Sequence, residues 1–183
     1  MKAGLGSKIG RVTLVAASLA AVGPVAVRAQ TVPPEGAAPA RPFQQFDDWR
    51  RQCDPPVPGK PESCFIFQKI VSKDSGQNLL AIAFGYYGEK QVPAAIVTVP
   101  LGIFLPAGLK LEVPGAKPIT IGVETCTQQG CRGGSSLTDD DLAALKKGTQ
   151  ATFTMEDQHR RPLTLPISLK GFSKGFASLK KKS

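Results

Sequence analysis

Apolar residues in this chain of 183 residues cluster in short runs that alternate with polar positions. Leu109, Leu111 and Val113 alternate with Lys110 and Glu112, and a period of two is typical of a half-buried strand. Other runs are rich in aromatic and β-branched residues and end at Gly- or Pro-rich turns. The clearest predicted strands cover residues 65–71, 79–87, 94–99, 109–113, 119–125, 149–156 and 163–169. Seven or eight short strands predict an all-β fold, either an antiparallel β-sandwich or a barrel-like sheet.

The turns between these runs indicate how neighbouring strands pair. The segment SKDSGQN at 72–78 is a strong turn signal, so the strands on either side of it should form a hairpin. Residues 157–161 should form the tip of another hairpin. The run at 94–99 is apolar almost throughout, which indicates a central strand. Pro166 lies inside the last run and indicates an edge strand or a bulge.

One short helix is expected between late strands. Thr138 can cap its N-terminus, the aspartates at 139–141 face the positive end of the helix dipole, and Gly148 ends it. A calcium site is the alternative role for the aspartates, but their spacing is not that of an EF-hand.

A second helix is expected at the C-terminus. Phe172, Phe176 and Leu179 recur at the spacing of one helical face. We expect this apolar stripe to pack on the core. Because lysines lie opposite the stripe, a helix that lies on a membrane surface is the alternative.

Residues 1–29 have the pattern of a secretory signal peptide. A basic start precedes an Ala-rich apolar stretch at 12–27, and the small residues Val27 and Ala29 predict cleavage after Ala29. A membrane anchor is the alternative, but the stretch contains a Gly-Pro pair and is shorter than the roughly 20 apolar residues that span a bilayer. We therefore expect a soluble, exported protein with no transmembrane segment after signal removal. Its expected location is the periplasm or the medium, with association with the outer membrane as a further option.

The rest of the chain predicts one domain. Residues 30–42 are rich in Pro and Ala and lack apolar periodicity, so we interpret them as a flexible leader. Residues 43–183 have the length of a single domain and enough apolar sequence for a hydrophobic core.

The net charge of +9 falls when the signal peptide is removed, because four of the 23 basic residues lie in it and 19 remain against 14 acidic residues. The remaining excess suits an anionic lipid or glycan, whereas a nucleic acid is the partner least expected of an exported protein. A solvated, non-binding tail is the alternative. The candidate residues for an anionic surface are His159, Arg160, Arg161, Lys170, Lys174, Lys180, Lys181 and Lys182.

Four cysteines in an exported chain indicate two disulfides. Three pairings are possible, and we favour Cys53–Cys64 and Cys126–Cys131 because each pair encloses a turn-like segment. Neither pair has the CxxC-like spacing of zinc ligands or of thioredoxin-type redox centres. Trp49 is the only tryptophan, and we expect it to pack inside rather than to bind a ligand.

Candidates for catalysis are weak throughout the sequence. His159 is the only histidine and lies in a polar hairpin tip, while Ser135 and Ser136 lack a nucleophile-elbow pattern. The adjacent carboxylates Asp47 and Asp48 would face opposite sides of a strand. The glycines after Cys131 do not complete a phosphate-binding loop. We expect no enzymatic activity, no cofactor and no metal.

Several segments together resemble the invasion-associated locus B family of exported bacterial proteins. The segments that carry the resemblance are 46–53 (FDDWRRQC), Cys64, 99–108 (VPLGIFLPAG), Cys126 with Gly130-Cys131, the helix at 142–148, and 168–172 (SLKGF). The resemblance implies a periplasmic or outer-membrane-associated protein, in a family linked in pathogens to entry into host cells. It implies no catalytic residues.

The leading hypothesis is therefore an exported, non-enzymatic interaction protein of the cell envelope, whose partner is an envelope or host protein. The alternative hypothesis is a periplasmic binding module for a small anionic ligand or glycan. An apolar pocket with a few polar groups would favour the module, and a broad exposed patch would favour the interaction protein.

Overall fold

The computed structural model describes residues 42–55 and 62–179. The predicted signal peptide, almost all of the predicted leader and Lys180, Lys181 and Lys182 lie outside these residues. The elements are β1 (Gln44–Phe46), β2 (Trp49–Cys53), β3 (Cys64–Val71), β4 (Asn78–Tyr87), β5 (Val92–Val99), β6 (Leu109–Glu112), β7 (Ile119–Thr127), β8 (Gly130–Ser136), α1 (Asp139–Lys147), β9 (Gln150–Glu156), β10 (Pro162–Ser168) and α2 (Phe172–Ala177).

All neighbouring strands are antiparallel, and they form one open sheet with the order β1-β2-β3-β4-β5-β8-β7-β6-β9-β10. Most neighbours are joined by short turns, as expected for antiparallel pairs. Two connections are exceptions: the one from β5 to β6 passes β8 and β7, and the one from β8 to β9, which contains α1, passes β7 and β6. The expected all-β antiparallel fold with two short helices is confirmed.

One face of the sheet carries the hydrophobic core. Along β4, Leu80, Ile82 and Phe84 are fully buried, while Ala81 and Ala83 between them point to the other face. We call the first side the inner face and the second the outer face. The inner side chains of β6, β7, β9 and β10 complete the core from the other half of the sheet. The sheet therefore wraps around its own inner face, as in a barrel that is not closed.

The two ends of the sheet meet across a seam where, among the described residues, the Asp48 N–H donates to the Lys170 carbonyl over 3.4 Å and side chains make the other hydrogen bonds. The Trp49 indole N–H donates to the Ser168 carbonyl over 2.9 Å, and the Ser168 hydroxyl donates to the Asp48 carboxylate over 2.5 Å. The Gln68 side-chain amide also bonds Ser168, donating to its carbonyl and accepting from its N–H. Side chains from β2, β3 and the β1–β2 turn thus join the first strands to β10.

Both helices pack on the core and contact each other. Thr138 and Asp141 form a reciprocal capping box at the start of α1, as the sequence predicted for Thr138. In α2, Phe172 and Phe176 are buried and so is Leu179 beyond it, which confirms the predicted docking of this stripe. Gly171 begins α2 with a left-handed backbone, and a Cβ there would overlap the Phe46 carbonyl.

The structure differs from the sequence prediction in two details. The described residues form ten strands rather than seven or eight, because β1, β2 and β8 were not delimited from the sequence. Asp47 and Asp48 lie in the tight turn between β1 and β2 rather than on a strand, and Asp47 has a positive φ of 50°. The adjacent aspartates therefore do not face opposite sides of a strand, and Asp48 contributes to the seam.

Among the residues that the structure describes, no helix has the length and apolar character needed to cross a bilayer.

Candidate functional site

The outer face of β3, β4 and β5 has an apolar surface that nothing packs over within the described ranges. Phe67, Ala83 and Ile96 are direct neighbours across these three strands, and all three are half-buried. Phe65 lies two residues along β3, with its ring centroid 6.0 Å from that of Phe67. Small residues on β4 therefore form the floor of a groove, and larger side chains of β3 and β5 form its walls.

Two basic side chains lie at the rim of this groove. The next cross-strand row runs Lys69, Ala81, Thr98 and Arg132, so that a cation lies at each end of it. The groove has a volume of about 280 Å³. We call this region the outer groove. Its apolar floor and basic rim suit a protein surface that is apolar at its centre and carries acidic groups at its edge.

Tyr87 lies at the end of β4, beyond the residues that line the outer groove. It lies near Gly85, where an added Cβ would meet Phe65, Tyr87 and the Cys64 carbonyl at 3.2–3.4 Å. Burial raises the pKa of the Tyr87 phenol to about 12, an effect that Arg132 opposes and Asp54 reinforces. Tyr87 is therefore a neutral hydrogen-bonding group at physiological pH.

A second depression, of about 370 Å³, lies along the seam. Asp47, Asp48, Arg50 and Ser168 are among its lining residues, and it shares Phe67 and Lys69 with the outer groove. Both signs of charge line this seam cleft. Because Asp48 and Ser168 already bond each other, part of its polar surface is satisfied without a ligand.

The predicted basic residues that the structure describes fall into two separate groups. His159, Arg160 and Arg161 lie in the tip between β9 and β10, whereas Lys170 and Lys174 lie beyond the other end of β10. A seven-residue strand separates the groups by roughly 20 Å at about 3.3 Å per residue. The structure does not join them into one basic patch.

The hairpin tip is ordered by Asp157. Its carboxylate accepts backbone N–H bonds from His159 and Arg161 and forms an ion pair with the Arg161 guanidinium over 2.7 Å. Hydrogen bonds from the Arg161 backbone and side chain lower the pKa of Asp157 to about 2. Arg160 has a positive φ of 59°, and its guanidinium lies 4.7 Å from the centroid of the Phe104 ring. The tip is thus packed against the loop at 100–108.

Both favoured disulfides are present. Cys53 pairs with Cys64 and Cys126 with Cys131, and the two members of each pair are direct neighbours on adjacent strands. Glu62 lies close enough to Cys53 and Cys64 to suggest a metal-binding group. Because both sulfur atoms are bonded to each other, they have no thiolate to offer a metal.

Asp48 and Ser168 are the described pair that most resembles two members of a hydrolytic triad. His159, the only histidine, lies at the other end of β10, where it is exposed. Ser135 and Ser136 lie on β8, and the Ser135 hydroxyl donates to the Ser136 carbonyl. The described residues therefore do not place a histidine base beside a serine nucleophile.

A family model described as invasion associated locus B (IalB) protein matches residues 49–180. The chain belongs to the invasion-associated locus B family. Two invasion protein B homologs of Brucella abortus, from strain 2308 and from biovar 1 strain 9-941, are each 27% identical to it over 130 residues, which is 70% of this chain and 73% of each relative. The crystal structure of invasion associated protein B from Bartonella henselae matches with a TM-score of 0.63 at 24% identity, over 72% of this chain and 90% of that one.

This invasion-associated locus B protein has an outer groove that sequence reasoning missed. A signal was available in β3, where Phe65, Ile66 and Phe67 are consecutive and so must place large apolar side chains on both faces. β4 gave a second signal, since large apolar residues alternate with Ala81, Ala83 and Gly85. Arg132 could not be placed there from the sequence, because β8 was not predicted.

Proposed function

We propose that this member of the family is an exported, non-enzymatic protein of the cell envelope that binds another protein across its outer groove. The observation that carries the proposal is the outer groove itself. It presents aromatic and aliphatic side chains on a rigid sheet, with cations at its rim. Interfaces typically combine a desolvated apolar centre with a polar rim, and aromatic residues and Arg are enriched in them.

Export is supported by the signal-peptide pattern and by the use of all four cysteines in disulfides, which persist in oxidising compartments. The protein purified from cells is expected to have the mass of residues 30–183 less four hydrogens. A retained N-terminal segment or free thiols would contradict this part of the proposal.

The relatives from Brucella and Bartonella carry invasion in their names. Entry into host cells would be one use of the proposed binding, through a host protein as the partner. An envelope protein of the same cell would be the other. The proposal requires only that the partner, from either source, binds at the outer groove.

The absence of catalysis is part of the proposal. It is supported by the distance between His159 and the Asp48–Ser168 pair, and by the hydrogen bonds that already occupy Asp48 and Ser168. Hydrolysis of a generic ester that is lost on Ser168→Ala would contradict it.

A photo-crosslinking experiment tests the binding surface directly. Benzoylphenylalanine replaces Phe67 in the outer groove and, as the matched control, Lys117 in the exposed turn between β6 and β7. Irradiation of living cells should give a discrete adduct from position 67 and none from position 117. A Phe67→Ser, Ile96→Ser variant should lose the same partner while it still unfolds cooperatively. The same adduct from both positions, or none from position 67, would overturn the proposal.

The seam cleft supports a second candidate function, a binding module for a small anionic ligand or glycan. Arg50 and Lys69 supply the cations, and the volume suits a small molecule. The carboxylates of Asp47 and Asp48 line the same cleft and would repel an anion. Stabilisation of the parent by glucuronate or sulfate that is lost in Lys69→Gln, with no change in Lys117→Gln, would favour the module over the interaction protein.

A further inference from the structure

The loop at 100–108 exposes two large apolar side chains that line neither the outer groove nor the seam cleft. Leu101 is 56% exposed and Leu105 is 46% exposed, and they lie on either side of the half-buried residues Ile103 and Phe104. Leucines that a fold leaves exposed as a group, rather than singly, commonly mark a contact surface. Neither leucine belongs to the hydrophobic core.

The loop holds these leucines in place. The Phe104 N–H donates to the Glu156 carbonyl over 2.8 Å, and Ile103 forms an isolated bridge with Asp157. The Gly108 N–H closes a turn on the Leu105 carbonyl over 3.0 Å. Because the backbone is fixed at both sides, the leucines point outward as a consequence of the fold rather than of a flexible chain.

The basic hairpin tip lies against the same loop. Arg160 stacks on Phe104, and within the described ranges its guanidinium has no carboxylate at ion-pair distance. Arg161 neutralises Asp157 but keeps 74% of its side chain exposed. Exposed leucines next to exposed guanidinium groups have the chemistry of a bilayer interface, where apolar side chains enter the acyl boundary and cations meet lipid phosphates.

We infer that the loop at 100–108 and the tip at 157–161 together form a membrane contact, which binds the surface of a bilayer that contains anionic lipids. Leu101 and Leu105 enter the interface, and Arg160 and Arg161 meet the headgroup phosphates. The contact goes beyond the proposed protein-binding function, since it uses none of the residues of the outer groove. It is also distinct from Lys170 and Lys174, which lie beyond the far end of β10.

Two leucines and two cations predict weak, reversible binding. Loss of each half-exposed leucine should weaken partition several-fold, so that the Leu101→Ser, Leu105→Ser variant should bind at least about tenfold more weakly. Loss of one cation near an anionic surface corresponds to about fivefold. The charge contribution should fall with salt, because exposed charges are screened beyond roughly 10 Å at 0.1 M.

The test is sedimentation of the protein, purified from expressing cells, with vesicles of phosphatidylcholine alone or mixed with phosphatidylglycerol. The parent should pellet with the mixed vesicles, and less so at high salt. The double leucine variant should stay in solution, and Arg160→Gln should lose affinity for the mixed vesicles only. Val71→Ser is the matched apolar control, since Val71 is 54% exposed elsewhere, and Lys170→Gln is the matched basic control.

A second measurement locates the contact. Tryptophan in place of Leu105 should be quenched by brominated lipid, whereas tryptophan in place of Val71 should not. Equal pelleting of the parent and the double leucine variant would overturn the inference, as would equal losses in Val71→Ser or Lys170→Gln. Since the crosslinking test uses Phe67, either proposal can fail while the other holds.

Discussion

The inner and outer faces of β3 and β4 carry similar apolar residues but have different surroundings. On the inner face, Trp49 and Phe84 pack edge-to-face at 5.4 Å, and Phe172 of α2 completes the cluster at 5.3 Å and 5.0 Å from them. On the outer face, Phe65 and Phe67 contact each other and remain half-exposed to solvent. Apolar sequence alone therefore does not make a core, because a core also requires a second layer to cover it.

Trp49→Ala should give the largest loss of stability. The indole is fully buried and its N–H closes the seam, so that the variant should lose about 3–5 kcal/mol of unfolding free energy. Phe67→Ala on the outer face should lose about 1 kcal/mol or less. Urea denaturation of both variants measures the contrast. Equal losses would mean that the two faces are equally buried.

Removal of a disulfide should have the next largest effect. The double variant Cys53→Ser, Cys64→Ser should lose roughly 2–3 kcal/mol of unfolding free energy, since its bond closes a short loop. The double variant Cys126→Ser, Cys131→Ser should lose a similar amount for the same reason. The effect should be smaller than that of Trp49→Ala, because the bonds mainly restrict the unfolded chain. Denaturation with and without reductant checks this, and a parent that is indifferent to reductant would contradict it.

Gly133→Ala should lose about 1–3 kcal/mol, since a Cβ there would overlap the Gly122 carbonyl oxygen of β7. Gly122→Ala is the matched control, because a Cβ at Gly122 meets nothing within 4 Å. Thermal unfolding should separate the two variants. A loss confined to Gly133→Ala would show that the backbone of β7, rather than a side chain, fills the space beside Gly133.

Tyr87→Phe should have the smallest effect at neutral pH. The folded pKa of about 12 lies above the ordinary value of 10, so the folded state holds the phenol proton more tightly than the unfolded state does. The resulting stability is present below pH 10 and is lost as the pH rises towards 12. The variant should therefore match the parent at pH 7 and lose less stability than the parent between pH 10 and pH 12. If the parent and the variant lose stability equally over this range, the Tyr87 phenol is exposed to water in the folded state.

The residues that were predicted correctly are those whose local chemistry agrees with the fold. The alternation at 109–113, the capping signal at Thr138 and the stripe of Phe172 and Phe176 each follow from one element considered alone. The favoured cysteine pairs also followed from short separations along the chain. In each of these cases the sequence near the residue determines the outcome.

β8 and the surfaces could not be predicted in the same way. The β8 sequence GCRGGSS is poor in residues that favour strands, and it forms a strand because β5 and β7 on either side provide partners. The outer groove needs β8 to place Arg132, and the basic groups separate because β10 lies between them. These features depend on contacts between distant segments, which a local pattern does not record.

The seam joins positions about two thirds of the chain apart, since Asp48 and Ser168 are separated by 120 residues. Closing so long a loop costs more conformational entropy than forming any of the hairpins, so the hairpins should form first and the seam last. A nascent chain has β2 with Trp49 long before it has α2 with Phe172. The inner face of the first strands is therefore completed only after the last helix is made, and a molecule truncated before residue 168 would leave Trp49 and Phe84 without the Phe172 ring that covers them.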